Sequence, residues 1–206
     1  MSEWWTYRLR DFLMFSARTY DRLFERYNRD VWPLHVVMLV AGVAILLLLA
    51  RHGRDAGAIL AACWLWVAWA FHWKRYATIH SAATWFAAVF VIEALLLIWT
   101  GVIRDQMRGR QRFGIALFAF ALIVQPLIGL MVGRPWIRLE IFGIAPDPTV
   151  VATLGVCLFA RRRALTIIPL LWCAISGATL WTLHAPDALL LPIAGAVAVI
   201  VALKKP

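Results

Sequence analysis

Two carboxylates fall in stretches of this chain that are otherwise apolar, and each could do chemistry there. Glu93 lies in "FVIEALLLIW" and Asp147 in "FGIAPDPTVVATLG". At helical rise, Glu93 is ~16 Å from Arg104, close to the middle of a hydrocarbon layer ~30 Å thick. A carboxylate at that depth is costly and marks an ion or proton pathway by default. Gln125, in "IVQPLIG", is ~20 Å from Arg112 on the next apolar run. If the two runs are antiparallel, Glu93 and Gln125 share a depth and are expected to hydrogen-bond. Pro126 frees a carbonyl one turn earlier, at Leu122, and Ser176 on a later run lies at comparable depth. Two roles stay open for this group: a proton or cation relay, or a protonated Glu bonded to Gln that fastens two helices.

Around Asp147 the backbone must break. Asp147 suits a helix N-cap and Pro148 a first helical position, with Thr149 in the first turn. The apolar run that follows stops at Arg161-Arg162-Arg163, ~20 Å on, where a full crossing takes about 20 residues. Either residues 137–146 dip inward as non-helical backbone buried against protein, or the bilayer thins locally and the arginines snorkel. In the first case a helix N-terminus points into the protein and suits a small polar or anionic solute.

A third group is polar and gathers at one end of the apolar runs. His35, His72, His80 and His184 fall there with Glu140, Asp147 and Asp187, while His52 lies opposite. Four histidines from separate segments could ligate a metal or haem. None has tight ligand spacing, so no metal and no cofactor is expected. Trp66, Trp69 and Trp73 share one helical face, suited to stacking on a planar ligand or to packing and lipid contact. Cys63, Cys157 and Cys173 sit inside apolar runs without ligand spacing and read as small packing residues. No nucleophile, metalloprotease or phosphate-loop motif occurs, and the expectation is that the chain is not an enzyme.

The elements that must position these groups follow from composition. With 63% hydrophobic residues in 206, the chain is far greasier than soluble domains, which run about 45–50% apolar. It reads as an all-α membrane protein. Residues 1–30 form an amphipathic helix, with Leu9, Phe12, Leu13, Tyr20, Leu23, Phe24 and Tyr27 at helical spacing, that either lies in the interface plane or docks on the bundle. No cleavable signal is visible there. Residues 31–206 form a transmembrane bundle of about seven spans, at 32–50, 56–73, 80–103, 113–133, 148–160, 164–183 and 188–203. The fifth is short or broken.

A net charge of +10 could suggest nucleic acid, but loop placement explains it better. Alternate loops collect Arg51, Arg54, Arg104, Arg108, Arg110, Arg112, Arg161, Arg162, Arg163, Lys204 and Lys205, against Lys74, Arg75, Arg134 and Arg138 on the other side: eleven against four. The positive side is expected to be cytoplasmic. That puts the N-terminus in the periplasm, the C-terminus in the cytoplasm and the chain in a bacterial inner membrane. Its partner is the lipid bilayer, with no nucleic acid.

"RYNRDVWP", "QPLIG" and "FGIAPDPTVVATLG" together resemble an uncharacterised bacterial family of multi-spanning membrane proteins with a domain-of-unknown-function label, over most of residues 24–160. Some of its members are loosely labelled major-facilitator permeases. In that family's pattern the residue between the two prolines is often Cys, where this chain has Asp147. The resemblance implies a permease-like membrane protein, although a major-facilitator protein has twelve spans and this chain about seven. The function expected is therefore a permease or transporter with a polar site near mid-membrane, the candidate pathway being Glu93, Gln125, Asp147, Thr149 and Ser176. The alternative is a non-catalytic accessory subunit of a larger membrane complex, with homo-oligomers or membrane partner subunits.

Overall fold

The computed structural model describes residues 13–107, 109 and 111–204, which are helical with no strand among them. The part of the amphipathic segment before Leu13, and the loop charges at 108, 110 and 205, lie outside the described residues. The helices are α1 (Ala17–Val31), α2 (Leu34–Leu48), α3 (Gly53–Trp66), α4 (Ala83–Leu97), α5 (Arg112–Ala119), α6 (Gln125–Met131), α7 (Pro146–Phe159), α8 (Ile167–Thr182) and α9 (Leu190–Leu203). Wider π-helical turns extend α3 over Val67–Trp73 and α4 over Ile98–Ile103, and join α5 to α6 over Phe120–Val124.

Among the described residues, four helical stretches are long and apolar enough to cross a membrane: Gly53–Thr78, Ala83–Ile103, Arg112–Met131 and Arg163–Thr182. A fifth is available if α1 and α2, which meet at 86°, count as one broken span. Three of the seven expected spans are therefore not matched by a helix of spanning length, because α2 has 15 residues and α7 and α9 have 14 each. That is ~21–23 Å of helix, short of the hydrocarbon thickness.

The shortness of α7 has a structural reason. Every one of its residues is buried, with α3, α5, α8 and α9 packed around it. It is an internal strut that has no need to reach both membrane faces. Its closest neighbour is α5, where two glycines let the backbones touch. A Cβ on Gly114 would fall 2.4 Å from the Gly155 carbonyl oxygen, and one on Gly155 would fall 2.6 Å from the Gly114 carbonyl oxygen. Such small-residue contacts are how helices pack where lipid supplies no hydrophobic drive. On the α3 side, the Trp64 indole N–H donates to Thr153 Oγ1 at 2.8 Å, and that hydroxyl donates on to the Thr149 carbonyl at 2.8 Å.

The backbone ahead of α7 is non-helical and, from Leu139 to Ala145, buried except for half-buried Ile141. Buried peptide groups without a regular ladder need partners from elsewhere. Helix α1 supplies them. Asn28 Nδ2 donates to the carbonyls of Ile137 (2.8 Å) and Leu139 (3.0 Å), and the Tyr27 hydroxyl donates to the carbonyl of Ile144 (3.1 Å). The Trp66 indole donates to the Tyr27 oxygen at 3.1 Å. At the far end, the Gly143 N–H donates to Thr149 Oγ1, whose own proton goes to the Ala145 carbonyl. Of the two placements open for the amphipathic helix, docking is the one observed. Its face of Tyr20, Leu23, Phe24, Tyr27 and Asn28 is buried, with Phe24 and Tyr27 against Phe71 of the α3 extension.

Candidate functional site

Helix α7 begins two residues earlier than its composition suggests, and this changes the role of Asp147. Ala145 is the N-cap and Pro146 opens the helix. Asp147 is therefore a first-turn residue and makes no capping bond. The first four N–H groups of a helix have no partner inside it. Here two of those positions are prolines with no N–H to satisfy, and the Ala145 N–H bonds the Ile141 carbonyl at 2.9 Å. The PDP triplet is thus a way to start a helix inside a protein with few stranded donors. The same arrangement removes the donors that an anion would need, and it sets a carboxylate in their place.

Asp147 points to α8. Its Oδ1 accepts from the Trp172 indole N–H at 2.8 Å, and its Oδ2 accepts from the Ser176 hydroxyl at 2.8 Å. Trp172 and Ser176 are four residues apart and so lie on one helical face. Close by is a second buried polar group. Arg134 reaches Glu140 Oε1 with Nη1 at 3.1 Å and Asp187 Oδ1 with Nη2 at 2.7 Å. Gln125, Arg134, Glu140, Asp147 and Asp187 line one cavity of about 20 Å³. The cluster holds three carboxylates against one guanidinium, so it favours positive charge or protons. Burial first, and then the charge of Asp147, push the Glu140 carboxyl well above the usual carboxylate range, against the opposing pull of Arg134.

Of the five expected pathway residues, Gln125 and Asp147 share this cavity and Ser176 bonds Asp147. Thr149 lies two residues on, where its hydroxyl braces the turn into α7. Glu93 does not join them, and the expected Glu93–Gln125 hydrogen bond is absent. Both Glu93 oxygens and Gln125 Oε1 are buried without a hydrogen-bond partner. The reason lies in which helices are neighbours: α4 packs on α3 and α8, whereas α5 packs on α7, and Gln125 faces the cavity lined by Asp147 of α7 and Leu190 of α9. Depth along a helix follows from residue count, but the adjacency of two helices does not.

The histidine group occupies separate settings. His35 Nε2 pairs with Asn28 Oδ1 at 3.2 Å. His72 is fully buried among Phe71, Phe90 and Trp172, with neither ring nitrogen bonded. His80 packs on Phe15 and Tyr76, and His184 lines an outer hollow beside Arg134. Glu140 belongs to the carboxylate cluster. Among the described residues, no three His, Cys, Asp or Glu side chains are placed to hold a metal ion. Of the tryptophan stripe, Trp66 binds Tyr27, while Trp69 and Trp73 are exposed.

Three residues of the cluster were not legible as site residues. Trp172 reads as one more membrane aromatic, although its four-residue spacing from Ser176 is a usable signal. Arg134 reads as loop charge for orientation, and Asp187 only as a member of the polar end.

No curated protein and no solved structure matches this chain. One family matches over residues 17–206, a span that contains every helix and every site residue described above. The chain belongs to that family, DUF6064, a family of unknown function.

Proposed function

We propose that this protein is a membrane permease in which the cluster around Asp147 binds protons or a small cation during transport, and that it is not an enzyme. The observation that carries the reading is the carboxylate at the head of a wholly buried half-helix, held by Trp172 and Ser176 beside Arg134, Glu140 and Asp187. Polar and ionisable groups deep in a membrane bundle serve ion and substrate pathways by default. Transporters place such sites at the ends of discontinuous helices. Three carboxylates against one arginine favour a cationic guest over an anionic one. With α7 inside the bundle the loop count holds only as far as Met131, where Arg51, Arg54, Arg104, Arg108, Arg110 and Arg112 stand against Lys74 and Arg75; that excess supports a bacterial inner-membrane location with the 104–112 loop cytoplasmic.

The test uses purified protein in lipid vesicles loaded with a pH-sensitive dye, with a potassium gradient and valinomycin setting the interior negative. Internal acidification is expected to exceed that of empty vesicles and to be lost in Asp147→Asn. Equal rates in protein-containing and empty vesicles, or in wild type and Asp147→Asn, would overturn the reading.

A second reading, an accessory subunit of a membrane complex, is favoured by one feature. An apolar groove of about 560 Å³ runs between α5–α6 and α9, lined by Phe113, Phe120, Ile128, Leu190 and Ile193 among others. That reading expects a larger assembly after cross-linking in native membranes.

A further inference from the structure

Arg134 belongs to two cavities at once. Its side chain lines the inner cavity of about 20 Å³ with Gln125, Glu140, Asp147 and Asp187. It also lines an outer hollow of about 250 Å³ with Tyr20, Asp21, Arg138 and His184. Its two ion pairs, to Glu140 and to Asp187, hold the guanidinium between them.

The inner cavity has unmet acceptors. Glu140 Oε2 and Gln125 Oε1 are both buried and without a hydrogen-bond partner, on residues only 8% exposed. A buried acceptor left unpaired costs about 1–3 kcal/mol. The volume exceeds the ~10–15 Å³ that one water requires, and the walls are polar. A guest here must donate, must be no larger than about one water, and is favoured if it brings positive charge.

We infer that this cavity is a proton-loading site, in which one water bridges Glu140 and Gln125 and Arg134 is the gate to the outer hollow. The inference rests on reading the cluster as the polar site of a permease, and it adds which group receives the proton and by what route. A proton arriving on the water as hydronium forms an O–H bond at Glu140 Oε2 and leaves neutral water behind. The charge on Glu140 is then gone, its pairing with Arg134 Nη1 weakens, and Asp187 keeps the guanidinium by Nη2. The charged and titratable groups that face Glu140 are Arg134, Asp147 and Asp187, with Tyr20 from α1. Two of these are acids, which favours neutral Glu140.

The test is infrared spectroscopy of the purified protein at neutral pH, where a protonated carboxyl gives its own carbonyl band. A band is expected that is lost in Glu140→Gln, moved in Glu140→Asp and kept in Glu93→Gln. On transfer to heavy water that band should exchange faster in Arg134→Lys, which keeps the charge but loses the two-armed grip. No band lost in Glu140→Gln and none moved in Glu140→Asp would overturn the loading site. An exchange rate unchanged by Arg134→Lys would overturn the gate. Vesicles that move no protons, with these spectra as expected, would sink the permease reading alone.

Discussion

Asp147 and Glu93 are both carboxylates sunk in the bundle, 2% and 0% exposed, but their surroundings differ in kind. Asp147 accepts two short hydrogen bonds and neighbours an ion-paired cluster. Glu93 accepts none. The difference comes from the helices that face them. α8 presents an indole N–H and a hydroxyl, one turn apart, to the start of α7. The aromatic neighbours around Phe90, one turn before Glu93, include Trp64, whose N–H is already committed to Thr153. Burial alone therefore does not separate a hydrogen-bonded carboxylate from a stranded one. What separates them is whether the facing helix has a donor to spare.

Substitutions at the two sites should move stability in opposite directions. Asp147→Leu strands the Trp172 N–H and the Ser176 hydroxyl together, and thermal unfolding in detergent is expected to show a loss of about 3 kcal/mol at about 1–3 kcal/mol for each unmet donor. A loss below about 1 kcal/mol would mean that water replaces the carboxylate, and the contrast with Glu93 would shrink. Trp172→Phe keeps an aromatic ring in a smaller side chain and removes one bond, for an expected loss of about 1.5 kcal/mol or more. If the loss equals that of Asp147→Leu, packing rather than the hydrogen bond ties α8 to α7. Glu93→Met removes a polar group that has no partner and is expected to stabilise by about 1 kcal/mol. Destabilisation there would show that Glu93 gains a partner in the working protein, and the comparison would fail.

Much of the helical layout was legible because hydropathy reports burial in lipid or protein alike. That is also why the span count was not legible. α7 is apolar all round because protein surrounds it, and an apolar run enclosed by protein looks like one enclosed by lipid. The buried non-helical stretch before α7 could be anticipated, since a dozen apolar residues between a proline pair and three arginines cannot cross unaided. The roles within "PDP" were misassigned by one proline. Both can open a helix, and only the docked backbone at Ile141–Ala145 decides between them. Gln125 and Ser176, read at a common depth, both lie beside Asp147, which was expected nearer the end of the bundle, whereas Glu93 does not join them because α4 packs on α3 and α8 while α5 packs on α7.

The clasp of α1 on the stretch before α7 bears on how the chain is assembled. Tyr27 and Asn28 are synthesised early, yet the carbonyls they bind belong to residues 109 to 117 positions later. Until residue 144 has left the ribosome, the buried face of α1 lacks its backbone partners, and residues 137–144 have no acceptable environment in lipid without α1. The two must meet after four apolar helical stretches (α2, α3, α4 and α5–α6) have already been made. Closure of α1 is therefore a late step of biogenesis, and the earliest-translated of the described helices is among the last to find its place.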